Sequence, residues 1–217
     1  MPHRFDATRC GDLSLSNHIV MAPPTRNRAS AGQVPNALMA QYYQQRAGAG
    51  LIISEATQVS AEGQGYLDTP GTYNAEQVTG WRRVADTVQA AGGQIPPAAD
   101  GRGWRWKLAF LHVVEGQTGG ARDIAPFDDA ALRSRYKQGH AGGSWMVNNG
   151  YTRAMAIEAV ASGAADLVAF GRPFIGNLDQ VRRLRDGLPL APPNPATLYG
   201  GGTEGYTDYP VLQPVEA

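Results

Sequence analysis

Short apolar runs that alternate with capped, amphipathic segments decide what this chain can fold into. The first run is His18-Ile19-Val20-Met21-Ala22, closed by Pro23-Pro24. Residues 36–47 then place Leu38, Met39, Tyr42 and Tyr43 on one helical face. A second run, Leu51-Ile52-Ile53-Ser54-Glu55, has the character of a buried strand. Asn74 with Gln77 three residues on forms a capping box, and Val78, Trp81, Val84, Val88 and Ala91 keep helical spacing until Gly92-Gly93 stops it. Leu108 to Val114 reads as another strand, followed by a helix near 128–138. Trp145-Met146-Val147 ends at Asn148-Asn149-Gly150, and Thr152 caps a helix carrying Met155, Ile157 and Val160. Leu167-Val168-Ala169-Phe170 ends at Gly171. Asn177 caps the last helix, with Leu178, Val181 and Leu184 inward and Gly187 at its stop. The Pro- and Gly-rich tail keeps Leu198, Tyr199, Tyr206 and Tyr209 and reads as ordered coil. Strands alternating with helices require a parallel sheet, covered on both faces or closed into a barrel. An eight-unit barrel takes roughly 250 residues. With 217 residues and five complete units, this chain is three units short.

The shortfall has a location. In AAGGQIPPAADGRGWRWKLAFLHVVEG, residues 90 to 116, a helix ends at Gly92-Gly93 and Gln94-Ile95 begins a strand. Pro96-Pro97 blocks that strand, because proline cannot donate to the ladder. A basic, Trp-rich patch, Trp104-Arg105-Trp106-Lys107, then leads straight into the next strand. The expectation is one domain with an N-terminal portion over 1–95, a junction at 96–106 and a C-terminal portion over 107–217.

Composition narrows the function classes. Lys and Arg total 19, as do Asp and Glu, so the net charge is zero and no polyanionic partner such as nucleic acid is indicated. No apolar run approaches the roughly 18 residues of a membrane helix. The first residues lack the pattern of a secretory signal, and the single Cys10 permits no internal disulfide, so a cytoplasmic setting is expected. One cysteine and four scattered histidines (His3, His18, His112, His140) offer no metal cluster.

In βα architectures the chemistry sits just after the strands. Those positions here are Pro23 to Arg28, Glu55 to Gln58, Glu115-Gly116, Asn148 to Gly150 and Gly171 to Pro173. The last two carry most weight. A glycine at a strand end lets backbone N–H groups approach an anion, and Arg172 could clamp a phosphate. Alternatively each glycine serves only a tight turn and Arg172 pairs with a carboxylate. Thr25 could bond a ligand or cap its own backbone. Glu55 and Glu115 could be acids or bases, or partners of an arginine. His112 reads as a satisfied core histidine and His140 as a solvated loop residue. Tyr199, before Gly200-Gly201-Gly202, could line a pocket or anchor the tail. No Ser-His-Asp or Cys-His arrangement, P-loop or dinucleotide fingerprint is present.

The stretches IVMAPPTRNRAS, LIISEATQVSAEGQGY, LAFLHVVEGQTGG, WMVNNGYTRAMAIEAVASGAADLVAFGRPFIGN and PATLYGGGTEGYTDYP, in this order, resemble the Old Yellow Enzyme family. Those are FMN-dependent NAD(P)H oxidoreductases (ene-reductases) on a (βα)8 barrel. The resemblance implies an α/β, TIM-barrel-derived fold, here an incomplete barrel lacking about three central strands. It implies that Thr25 bonds the flavin carbonyl, that Pro23, Pro24 and Ala56 lie against the ring, that Asn149, Gly150, Gly171 and Arg172 hold the FMN phosphate, and that Tyr199 borders the substrate pocket. FMN would be the cofactor, NAD(P)H the reductant and an activated alkene the substrate.

The family's strand beginning at the position of Gln94-Ile95 continues into a flavin-bonding Gln. Beyond it come a His/Asn or His/His carbonyl clamp and a proton-donating Tyr; none of these is found here. The resemblance therefore also implies impaired ene-reductase activity, sheet edges open to a second copy, and two alternatives. One is a catalytically inactive remnant binding FMN weakly; the other is a domain handling a different phosphorylated ligand.

Overall fold

A computed structural model describes residues 5–95, 109–116, 128–139 and 143–212. The junction at 96–106, His3 and His140 lie outside the described residues. In chain order the elements are β1 (Thr8–Cys10), β2 (Leu13–Leu15), β3 (Ile19–Met21), α1 (Ala37–Gln44), β4 (Leu51–Ile52), α2 (Ala75–Ala90), β5 (Phe110–Val114), α3 (Asp129–Gly139), β6 (Ser144–Asn148), α4 (Arg153–Ala161), β7 (Leu167–Phe170), α5 (Arg172–Gly176) and α6 (Gln180–Asp186). They group into two compact units. One, the sheet unit, comprises Met1–Ala22 and Gly101–Gly171; the other, the arginine unit, comprises Pro23–Asp100 and Arg172–Ala217.

The sheet unit is built on parallel strands in the order β3-β7-β6-β5. Its register pairs Met21 with Phe170, Val147 with Val168, and Val114 with Asn148. The strands β3, β6 and β7 are apolar runs of the kind that parallel sheets bury on both faces, and β3 and β7 are buried throughout. By contrast β5, the outermost of the four, is half-buried at four positions and exposed at Val114. As the spacing predicts, Thr152 caps α4 by accepting from the Met155 N–H. The β1–β2 hairpin escapes any periodicity argument, because each strand has three residues. Its turn depends on Gly11, whose φ of 58° suits glycine.

In the arginine unit, α1 is capped by Asn36, which accepts from the Met39 N–H, and buries Met39, Ala40, Tyr42 and Tyr43. The Asn74–Gln77 capping box opens α2 as the sequence predicts, and Trp81, Val84 and Val88 form its buried stripe. The second apolar run forms a shorter strand than its composition implies. It ends at Ile52, because the Glu55 N–H donates to the Tyr43 hydroxyl at 3.0 Å and not to a ladder partner. Gln94 makes one strand-like bond, its carbonyl accepting from the Ile52 N–H at 2.8 Å.

The last helix starts later than expected, at Gln180, with the additional short α5 before it. Asn177 is not its cap. The buried Asn177 amide instead donates to the Pro173 and Ala191 carbonyls, and its oxygen accepts from the Ala191 N–H. Gly187 ends α6 in the left-handed region, as expected. The tail is ordered coil: Tyr206 is fully buried and stacks on Tyr42 with ring centroids 4.1 Å apart. Among the described residues no helix is long and apolar enough to cross a membrane.

Candidate flavin-site residues

Within the sheet unit, parallel pairing brings Asn149, Gly150 and Gly171 to the same end of neighbouring strands. The two glycines differ. Gly150 has φ 67° and follows Asn149 at φ 94°, so a turn alone explains it. Gly171 has no positive φ, and a Cβ there would find only the Ala22 Cβ at 4.0 Å. Neither backbone nor packing demands glycine at 171, and the space beside it is open. The Asn149 amide is engaged with the neighbouring strand end, donating to the Glu115 carbonyl at 2.6 Å. The Glu115 carboxylate accepts from the Tyr151 hydroxyl at 2.7 Å. His112 departs from expectation. It lies in β5, but its Nε2 is buried without a hydrogen-bond partner among the described residues, and burial lowers its pKa from 6.5.

In the arginine unit, Arg172 is exposed and does not pair with a carboxylate: it makes no ion pair or hydrogen bond among the described residues. The helix it opens has only five residues, so its dipole is slight. Pro23 and Ala56 are exposed and Pro24 and Thr25 half-buried. The Thr25 hydroxyl does not cap its own backbone, having no partner among the described residues.

Arg26 gathers three of the expected residues. Its N–H donates to the Glu55 carboxylate at 3.1 Å, which sets Ala56 beside the Thr25 segment. Its carbonyl accepts from the Gly200 N–H at 2.9 Å, and its Nε donates to the Leu198 carbonyl at 2.8 Å, so the chain on either side of Tyr199 is tied to it. Tyr199 itself is 66% exposed; Tyr206, not Tyr199, anchors the tail.

Glu55 is a structural group. It is buried and accepts the backbone N–H groups of Arg26 and Asn27 and the Tyr43 hydroxyl. Burial raises its pKa, against the lowering effect of the two backbone bonds. Sequence reasoning missed Arg46, which is 1% exposed and donates to the carbonyls of Tyr42, Phe174, Ile175 and Tyr206. Burial lowers the pKa of both Arg46 and Arg28. Among the described residues no cluster could hold a metal.

The residue types fit a flavin nucleotide, each unit taken by itself. The sheet unit offers an unfilled glycine at a strand end. The arginine unit offers an unpaired guanidinium, an unpaired hydroxyl at Thr25 and small or rigid residues at 23, 24 and 56.

Residues 5–96 match the profile of the NADH:flavin oxidoreductase / NADH oxidase family. Chanoclavine-I aldehyde reductase of Penicillium roqueforti is 44% identical over 97 residues, covering 44% of this chain and 26% of that protein. A probable flavin mononucleotide-dependent alkene reductase of Leishmania infantum is 46% identical over 85 residues, 39% of this chain and 23% of that protein. The match therefore spans about a quarter of these relatives' length. The solved Old Yellow Enzyme homologue of Zymomonas mobilis superposes with a TM-score of 0.85 at 25% identity, covering 97% of this chain and 100% of that one.

Residues 5–96 are thus similar to the NADH:flavin oxidoreductase / NADH oxidase family, and the fold is α/β of the Old Yellow Enzyme barrel type, with an open sheet among the described residues. FMN and a nicotinamide reductant are the cofactors of that class.

Proposed function

We propose that this chain binds FMN, accepts reducing equivalents from NAD(P)H and acts on activated alkenes such as enones, with alkene turnover impaired. The observation that carries the reading is the grouping of Thr25, Ala56 and Tyr199 about Arg26 in a chain whose residues 5–96 match a flavin oxidoreductase family. When bound, FMN supplies the hydride chemistry itself. In the arginine unit, Pro23, Pro24, Thr25 and Ala56 would hold the ring, with the Thr25 hydroxyl donating to a flavin carbonyl, and Arg172 would bind phosphate. In the sheet unit, Asn149, Gly150 and Gly171 carry the corresponding phosphate positions. Lone, buried Cys10 supports a reducing, cytoplasmic setting.

Impairment follows from what reduction of an enone requires besides a hydride: donors that polarise the carbonyl and an acid that protonates the carbon. Of the four histidines, His18 and His112 are the two described. His18, whose Nδ1 lies 2.5 Å from the Asp166 carbonyl, directly precedes β3, and His112 lies within β5. Neither stands just after a strand of the parallel sheet. The family profile stops at residue 96, where the strand carrying the flavin-bonding Gln would continue. Loss of about three barrel strands at the 96–106 junction would account for both facts. The same facts favour a second reading, a catalytically inactive remnant that keeps FMN or another phosphorylated ligand.

The visible absorption spectrum of the purified protein, repeated with NADPH under anaerobic conditions, tests the proposal. Flavin bands that bleach and then recover slowly on adding 2-cyclohexenone are the expected result. Bands that bleach and never respond to the enone select the remnant. A colourless protein that FMN cannot reconstitute overturns both.

A further inference from the structure

Tyr199 presents a physical problem. It sits at the tip of Thr197-Leu198-Tyr199-Gly200-Gly201-Gly202-Thr203-Glu204-Gly205, a segment that four glycines should leave mobile. Its own side chain is largely exposed and makes no hydrogen bond or ring contact among the described residues. Nothing about Tyr199 itself fixes its place.

The surrounding carbonyls supply the answer. Before the tip, the Thr197 carbonyl accepts from Arg28 Nη2 at 3.0 Å and from Arg26 Nη2 at 3.3 Å, and the Leu198 carbonyl accepts from Arg26 Nε at 2.8 Å. After it, the Gly202 and Glu204 carbonyls accept from Arg28 Nε and Nη2 at 3.0 and 3.3 Å, and the Gly205 carbonyl from Arg26 Nη2 at 2.6 Å. Arg28 Nη1 donates to the Arg26 carbonyl at 3.0 Å, which cross-links the two clamps. The guanidinium of Arg28 lies 4.3 Å from the Tyr206 ring centroid and that of Arg26 5.0 Å. Both arginines are buried, so these charge-assisted bonds are little weakened by water. The loop is gripped at five carbonyls flanking one free tip, and the grip originates one and three residues beyond Thr25.

We infer that Arg26 and Arg28 are positioning residues: they fix Tyr199 relative to the Thr25 segment and thereby set affinity for the activated alkene. The inference rests on the functional reading above. Only a planar fork reaches carbonyls on several sides at once, so lysine cannot replace Arg28.

The test uses the FMN-loaded protein and the dissociation constant of 2-cyclohexenone, read from perturbation of the flavin bands. Arg28→Lys should weaken binding about tenfold, as should Tyr199→Ala. The double variant should bind no more weakly than Tyr199→Ala alone, because the clamp acts only through that side chain. Additive losses, or no loss in Arg28→Lys, overturn the inference. A merely structural role would lower FMN affinity, which is expected to stay within twofold.

If Arg28→Lys fails to fold, Gly200→Ala replaces it. Alanine at φ +65° strains the tip while leaving both guanidinium groups in place, and its loss should likewise vanish in the Tyr199→Ala background. If the protein takes up no FMN, the functional reading fails separately, and chymotrypsin then probes the clamp. Cleavage after Tyr199 should be at least tenfold faster in Arg28→Lys than in the parent; equal rates sink the clamp itself.

Discussion

The two units hold themselves together by different means. In the sheet unit, order comes from aliphatic strands: Ile19, Val20, Met21, Met146, Leu167, Val168 and Ala169 are buried side by side, and the backbone bonds run strand to strand. In the arginine unit, long stretches have no regular partner, and four buried arginines satisfy their carbonyls. Arg26 and Arg28 grip residues 197–205. Arg46 reaches Phe174, Ile175 and Tyr206. Arg183 bonds the Pro189 and Pro210 carbonyls and forms an ion pair with Asp179 at 2.6 Å. Coil can therefore be as fixed as sheet when a cation is buried among its carbonyls, because each guanidinium satisfies several acceptors with little loss of its own freedom. The consequence is unequal fragility. A trimmed strand residue leaves a small void, whereas a removed guanidinium leaves several buried carbonyls unpaired.

Arg46→Met is expected to have the largest effect. It retains the side chain's bulk but orphans four carbonyls, and stability should fall by on the order of 4 kcal/mol. Urea unfolding followed by circular dichroism measures it, and a loss below about 1 kcal/mol would remove the basis of the contrast. Leu167→Ala in fully buried β7 should cost about 3 kcal/mol, while Leu111→Ala in half-buried β5 should cost about 1 kcal/mol. Equal losses would mean that β5 is covered as fully as the strands inside the sheet.

Alkali should attack the arginine unit through its tyrosines. Burial, reinforced by Glu55, holds the hydroxyls of Tyr43 and Tyr206 well above the ordinary value of 10.0. A folded pKa raised above the unfolded one contributes stability that is complete below pH 10 and lost as pH rises through the raised value. Phenolate absorbance from these two rings should accordingly appear only together with unfolding. Its appearance in a still-folded protein would contradict the burial argument.

Much of this contrast follows how far each feature is written locally. The strands β3, β6 and β7 were legible because burial on both faces demands continuous apolar runs, and the caps at Asn74 and Thr152 because a cap and its target lie three residues apart. Thr25, Ala56 and Tyr199 were singled out through motif resemblance, and the structure brings their segments together about Arg26. Arg46 was not: in YYQQRAGAG it reads as a helix end facing water, and its acceptors lie as many as 160 residues away. The same distance hid what Arg26 and Arg28 do, although both stand in a quoted motif. Asn177 looked like a helix cap because caps and bridging amides share a residue type. Only the fold shows that its partners are Pro173 and Ala191.

The smallest expected effect tests the sheet unit from the acid side. His112 sits in β5 with Nε2 buried and unpartnered among the described residues, and burial alone lowers its pKa from 6.5. For a group whose folded pKa is depressed, the stability it contributes is complete above the unfolded value and lost as pH falls through the folded one. Unit stability should therefore decline below pH 6.5 as the unfolded chain takes up a proton that the folded strand refuses. His112→Leu removes both the titration and the unpaired nitrogen, so the decline in that window should flatten and stability at neutral pH should stay level or rise by a few tenths of a kcal/mol. Thermal unfolding of parent and variant between pH 5 and 7 decides it. An unchanged slope would assign the acid response to groups outside β5, and a marked loss at neutral pH would mean that Nε2 has a partner after all.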